Sequence, residues 1–333
     1  MFKMFLLFSL FLGCARVKTI NLKEHTFNLE PKILIWFQVE GLAPEQLAML
    51  RFAKYSAGYR TAFESSTCFG GMWNYNLFKL RPNGYEGFLS QLTGKSNIKN
   101  SCEDFKHRPL WDYLKEKEFK SGVFEIGASG KTSLERAWKC EEGQEFKKNL
   151  TLWKMSPNKK RSKFVFNVLE KAHFEKGMVY FDKSCDRRRC HGDIVESIKN
   201  VFNNFAAKES FTLFIIKDHT YARAIRQKKV KKAREILSQL EELYFYFTTK
   251  FKKHRNPLIL VTSSAVRNIE LPNAGRDWKT FEKNGRKVLF RRNSLMSYAL
   301  ASGAGAENFC GIYGESEILR RIIWRPENRK WGI

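Results

Sequence analysis

Two stretches of the chain bring reactive side chains close together. Cys185, Cys190 and His191 could supply thiolate and imidazole ligands to a zinc ion. A structural zinc needs four such ligands, usually in paired spacings, and no second pair accompanies these three. The spacing instead favours a local disulfide between Cys185 and Cys190. The second stretch, Gly127-Ala128-Ser129-Gly130-Lys131-Thr132-Ser133, follows an apolar run and has the composition of a phosphate-cradling loop. That loop requires four residues between its glycines so that backbone N–H groups can wrap the phosphate. Here the first glycine's place is taken by Glu125, and its charge opposes phosphate.

Short apolar runs separated by amphipathic segments must position whatever chemistry the chain has. Lys32–Gln38 reads as a strand buried on both faces, and further runs occur at 122–126, 164–166, 178–181, 211–216 and 258–262. Pro44 opens an expected helix reaching Tyr55. Val230, Ala233, Leu237, Leu240, Tyr244, Phe247 and Phe251 recur at spacings of three and four, giving one apolar stripe on a long helix. Strands alternating with helices predict an α/β fold with a mostly parallel sheet covered on both faces.

The 333 residues carry 60 Lys and Arg against 34 Asp and Glu, a formal charge of +26, with 43% hydrophobic content. Such a chain folds, and its surface attracts polyanions. Basic clusters at 159–161, 187–189, 228–232 and 320–321 are scattered and accompany no nucleic-acid-binding motif, so no nucleic-acid partner is expected. Lys3, an apolar stretch from Met4 to Leu12 and Gly13 describe a signal peptide over residues 1–13. Cys14 follows as in a bacterial lipobox and is the expected lipidation site, with 14–31 a lipid-proximal tether and 32–330 one domain. The expected location is periplasmic or outer-membrane-associated, with the membrane engaged through the lipid. Six further cysteines, an even number, suit disulfides in an exported protein, although sequence alone leaves their pairing open.

Four segments in order resemble the alkaline-phosphatase and sulfatase superfamily. Ile33–Leu42 looks like its opening strand, which ends in an aspartate-glycine pair. Gly87–Lys95, followed by Leu110–Lys115 and Phe119–Phe124, resembles its nucleophile helix and following strand. Pro257–Ser264 resembles the strand ending in a threonine-serine-aspartate-histidine motif, and Ala301–Tyr313 is similar to the glycine-rich C-terminal signature. The resemblance implies a three-layer α/β/α sandwich around a mostly parallel mixed sheet. It also implies hydrolysis of phosphate or sulfate esters by a nucleophile at a helix start, with metal ions held by Asp and His.

The matched positions depart from that pattern. Glu40 stands for the opening aspartate, Ser264-Ala265 for the aspartate-histidine pair, and Arg292 for the last histidine ligand. The nucleophile's place falls on Asn83 or Gly84, or by another alignment near Ser65, Ser66, Thr67 or Cys68, of which Thr67 and Cys68 are the catalytic candidates. Asp218-His219 follows a strand where the second aspartate and histidine lie, without the usual gap. Glu40, Asp218 and His219 are the metal-ligand candidates, too few for a closed site. Arg291 and Arg292 are the candidate anion holders, since guanidinium can replace metal in gripping phosphate or sulfate. The expectation is a fold-bearing protein that binds an anionic envelope lipid or glycan without catalysis and with no resident cofactor. The alternative is an ester hydrolase with a rearranged site that uses zinc or another divalent ion.

Overall fold

The computed structural model describes residues 30–54, 60–157, 164–167, 170, 173–206, 211–251 and 257–323, with 52–54 and 292–293 described by backbone alone. The signal segment 1–13, Cys14 and the tether up to residue 29 lie outside the described residues.

In chain order the elements are β1 (Ile33–Glu40), α1 (Ala48–Lys54), β2 (Cys68–Trp73), α2 (Gly84–Thr93), α3 (Leu110–Leu114) and β3 (Lys120–Ile126). Next come α4 (Gln144–Lys148), β4 (Leu150–Met155), β5 (Val165–Phe166), β6 (Val179–Asp182), α5 (Ile194–Phe205), β7 (Thr212–Asp218) and α6 (Thr220–Arg226). The chain continues through α7 (Val230–Lys250), β8 (Pro257–Ser264), β9 (Arg267–Glu270), α8 (Gly275–Asn284), β10 (Leu289–Asn293), β11 (Met296–Gly303), β12 (Gly311–Gly314) and α9 (Glu317–Ile323). Ten strands form one sheet in the order β12-β2-β11-β8-β1-β7-β3-β4-β6-β5, and β9 with β10 makes a separate ribbon. Within the ten-stranded sheet β11 runs antiparallel to both its neighbours and the other pairs are parallel, while the β9–β10 ribbon is antiparallel.

The α/β reading and each apolar run are realised as strands of this sheet. All eight residues of β1 are buried, which is why its sequence is apolar without alternation. Ile33, Ile35, Phe37 and Val39 face one core with α5, α6 and α7, while Leu34 and Trp36 face the other with α2, α3 and α9. The helix expected from Pro44 begins as a 3-10 turn over Pro44–Leu47 before α1, and Tyr55 lies outside the described residues. The stripe from Val230 to Phe251 is core packing on α7. Among the described residues no helix is long and apolar enough to cross a membrane.

Three disulfides form, Cys68–Cys310, Cys102–Cys140 and the expected Cys185–Cys190.

Candidate functional site

On the α2 side of β1 the apolar pattern stops two residues early. Gln38 and Glu40 take the places where Leu34 and Trp36 would be followed by further hydrophobics, and both are buried. Gln38 is in register with Thr262 on β8 and Lys217 on β7, Lys217 with Glu125 on β3, and Glu125 with Lys154 on β4. Five neighbouring strands thus place a row of buried polar side chains near their carboxyl ends. Such burial is costly unless each charge is paired and hydrogen-bonded.

The pairing is largely complete. Lys217 Nζ lies 3.8 Å from Glu125 Oε1, donates to the Thr132 carbonyl at 3.1 Å, and stands 4.2 Å from the Phe88 ring centre. Burial pushes its amine down to about 8 against the pull of Glu125 and Glu40. Glu125 accepts from Ser133 Oγ at 2.5 Å and from the Leu134 N–H at 2.8 Å. The residues that resembled a phosphate loop therefore fold around this carboxylate. Lys154 pairs with Glu135.

One step nearer the strand ends lie Glu40 and Ser264, adjacent in register. Helix α2 closes over them. Its N-cap is Asn83, whose Oδ1 accepts from the N–H groups of Tyr85 at 3.0 Å and Glu86 at 2.9 Å, while Glu86 Oε2 accepts from the Asn83 N–H at 2.9 Å. The first residue of the helix, Gly84, touches the Glu40 side chain: a β-carbon there would overlap Cγ and Cδ and come within 2.8 Å of Oε2. Ser264 Oγ donates to the Gly84 carbonyl at 3.1 Å and accepts from Gln38 Nε2 at 2.6 Å.

Both oxygens of Glu40 are engaged. Oε2 accepts from His219 Nδ1 at 2.9 Å and Oε1 from Arg226 Nη1 at 3.1 Å. Burial alone would raise this carboxyl, but the His219 hydrogen bond and the charges of His219, Arg226 and Lys217 hold it below its ordinary value. Arg267 interacts electrostatically with both Arg226 and Glu40. Another buried carboxyl, Glu315, sits beneath α2 with Oε2 3.4 Å from Gln91 Nε2. Burial pushes it up to about 8.

No protein-family model matches the sequence, and no curated protein does. Solved structures do match. Alkaline phosphatase from the Antarctic bacterium TAB5 superposes with a TM-score of 0.68 at 14% identity, covering 92% of this chain and 100% of its own. The enzyme from psychrophilic Shewanella sp. gives 0.64 at 9% identity, with coverages of 87% and 98%. That from Thermus thermophilus gives 0.64 at 10% identity, with coverages of 90% and 92%. The fold is that of the alkaline phosphatases.

Within the alkaline-phosphatase fold the sequence-derived residues divide. Glu40, Ser264, Gly84 and His219 come together. Asp218 does not join them: its Oδ1 accepts from the Thr220 N–H at 3.2 Å and hydroxyl at 2.5 Å, and its Oδ2 from the Tyr221 N–H at 2.7 Å. It anchors the start of α6, and burial raises its carboxyl despite those bonds. Cys68 is corrected as a nucleophile because its sulfur is bonded to Cys310. Its strand position is also wrong. Cys68 pairs with Ala301, Ala301 with Leu260 and Leu260 with Trp36, four residues or about 13 Å short of Glu40. Thr67 is exposed and one residue further back. Arg291 is corrected as an anion holder, since it is exposed on the β9–β10 ribbon and pairs with Glu270. The Arg292 side chain lies outside those described.

A metal ion does not fit the residues present. Among the described residues Glu40 and His219 are the only matched ligands in contact, and Arg226 and the buried Lys217 bring positive charge to the same carboxylate. Among the described residues no group of three or more His, Cys, Asp or Glu is placed to hold a metal. Sequence reasoning missed Arg226, Arg267 and Lys217. A lysine ending the run Phe214-Ile215-Ile216-Lys217 was the available signal for the last.

Proposed function

We propose that this chain is an exported, lipid-anchored protein that holds an anionic envelope ligand, a lipid or glycan headgroup, on an alkaline-phosphatase fold without hydrolysing it. The observation that carries this reading is the contact of Gly84 with Glu40. The helix start that resembles the nucleophile's position has no side chain, and the carboxylate beneath it is occupied by His219 and Arg226 rather than available to a metal. Three disulfides support an oxidising compartment, and the leader with Cys14 supports lipidation. Arg226, hydrogen-bonded to this carboxylate, and Arg267, which interacts electrostatically with both, are the proposed anion seat, in place of Arg291 and Arg292.

Purified protein is assayed with p-nitrophenyl phosphate, bis(p-nitrophenyl) phosphate and p-nitrophenyl sulfate, with zinc, manganese or calcium added. The expected result is no turnover above buffer and no stoichiometric metal by elemental analysis. Turnover that disappears in Glu40→Ala would overturn the reading in favour of a divalent-metal phosphate or sulfate ester hydrolase.

A further inference from the structure

The end of β2 and the segment leading from it to α2 present apolar side chains outward. Trp73, Tyr75, Leu77, Phe78 and Leu80 are 43%, 48%, 71%, 56% and 62% exposed. These five lie within eight residues, whereas exposed hydrophobics scattered singly need no explanation. The presentation is fixed by hydrogen bonds. Buried Asn76 accepts through Oδ1 from the N–H groups of Phe78 at 2.9 Å and Lys79 at 2.6 Å, and its Nδ2 donates to the Ile98 carbonyl at 3.1 Å. The Leu77 N–H donates to the Ser96 carbonyl at 2.7 Å, joining the tip to the loop after α2.

The sequence flanking this tip is predominantly basic. From Ser65 to Cys102 the sequence holds a single acidic residue, Glu86, which is buried and paired with Lys79. Lys79, Arg81, Lys95 and Lys99 are exposed there, with Lys99 Nζ 5.7 Å from the Phe78 ring centre and paired to Glu103 beyond the segment. Tryptophan and tyrosine at the base, aliphatic and phenyl groups at the tip and a basic collar form the side-chain order of a surface seated in an anionic bilayer interface. Because β2 runs parallel to β8 and β1, the loop leaves the sheet at the end where Glu40 lies, and it leads directly into Asn83.

We propose that the segment Trp73–Arg81 is a membrane-seating tip that inserts its apolar side chains among anionic lipid headgroups. This goes beyond the ligand reading above, and it stands on a different surface, so loss of anion binding at Arg226 leaves it untouched.

The test is co-sedimentation of the full chain, carrying Cys14→Ser so that acylation supplies no anchor, with phosphatidylcholine vesicles with and without phosphatidylglycerol. The comparison variant is Leu77→Ser/Phe78→Ser/Leu80→Ser, which keeps every charge. The expected result is binding that phosphatidylglycerol strengthens and that is weakened but not abolished at about 0.5 M salt, where the Debye length is about 4 Å, with at least tenfold weaker binding by the variant. Equal binding by the two proteins would overturn the proposal, because general surface charge would then suffice. A wild-type dimer in sedimentation velocity that the variant loses would also overturn it, since a second copy would be covering the tip. Matching unfolding midpoints confirm that the variant is folded, and Lys95→Glu, which leaves the apolar tip intact, is expected to weaken binding severalfold.

Discussion

Glu40 and Gly84 share one volume, the carboxylate of the strand filling the space where the first residue of the helix would carry a side chain. Gly84→Ser is therefore expected to create no hydrolase and to destabilise the fold by about 2 kcal/mol through overpacking. Shortening the strand residue relieves the overlap, so the double variant Glu40→Ala/Gly84→Ser loses less than the two single losses added together. A double-mutant cycle by chemical denaturation measures the coupling, and strict additivity would show that the helix start shifts aside at no cost.

The triad of Glu40, His219 and Arg226 sets an acid limb of stability. Glu40 is held below the ordinary carboxylate value in the fold, so its contribution is present above the unfolded value of 4.5 and is lost as pH falls below that through the folded value. Glu40→Gln is expected to cost about 2 kcal/mol at neutral pH, less than for a wholly buried pair because Arg226 is half-exposed. The difference from wild type shrinks on acidification below pH 4, and a gap that does not change with pH counts against an ionised Glu40.

Glu315 has the opposite sign. Burial keeps its proton on until about pH 8, whereas the unfolded carboxyl releases it near 4.5. The folded chain binds the extra proton between those values, so this group lowers stability as pH rises through the window, and the loss levels off above it. Glu315→Gln mimics the protonated form and is expected to gain at least about 1.4 kcal/mol on wild type between pH 5 and pH 9, one pKa unit's worth. Parallel stability profiles for the two proteins would refute the assignment.

Cys68 is expected to stay unlabelled by iodoacetamide in the native oxidised protein and to react only after reduction. Cys68→Ser/Cys310→Ser removes a crosslink over a sequence separation of 242 and is expected to lower stability by about 3 kcal/mol. Alkylation of Cys68 without reductant would show that the Cys68–Cys310 bond is not formed.

The strands were legible because a parallel sheet buried on both faces demands unbroken apolar runs such as 33–37 and 211–216. The helix α7 was legible because its stripe has one consistent period. Six strands escaped, β2, β4, β9, β10, β11 and β12, and two of them show why. β2 carries Gly70 and Gly71 in its middle, where Tyr313 and Ile312 pack against the bare backbone, and β4 carries Lys154, whose partner Glu135 comes from the 3-10 helix Leu134–Lys139. Within the site, Glu40, Ser264 and the glycine at the helix start were visible as departures from a motif. Their partners were not, because Arg226 and Lys217 are joined to them only by strand register and the return of α6, which no local pattern encodes. Thr67 and Cys68 show the same limit: they resemble a nucleophile in type, yet register carries them to the wrong end of the sheet.

The contact between Glu40 and Gly84 also acts as a ratchet on sequence change. A serine placed first at 84 meets the carboxylate, and a smaller residue placed first at 40 leaves His219 and Arg226 without their acceptor. Each single step toward a side chain at the helix start passes through a less stable protein, so positions 40 and 84 are constrained to change together.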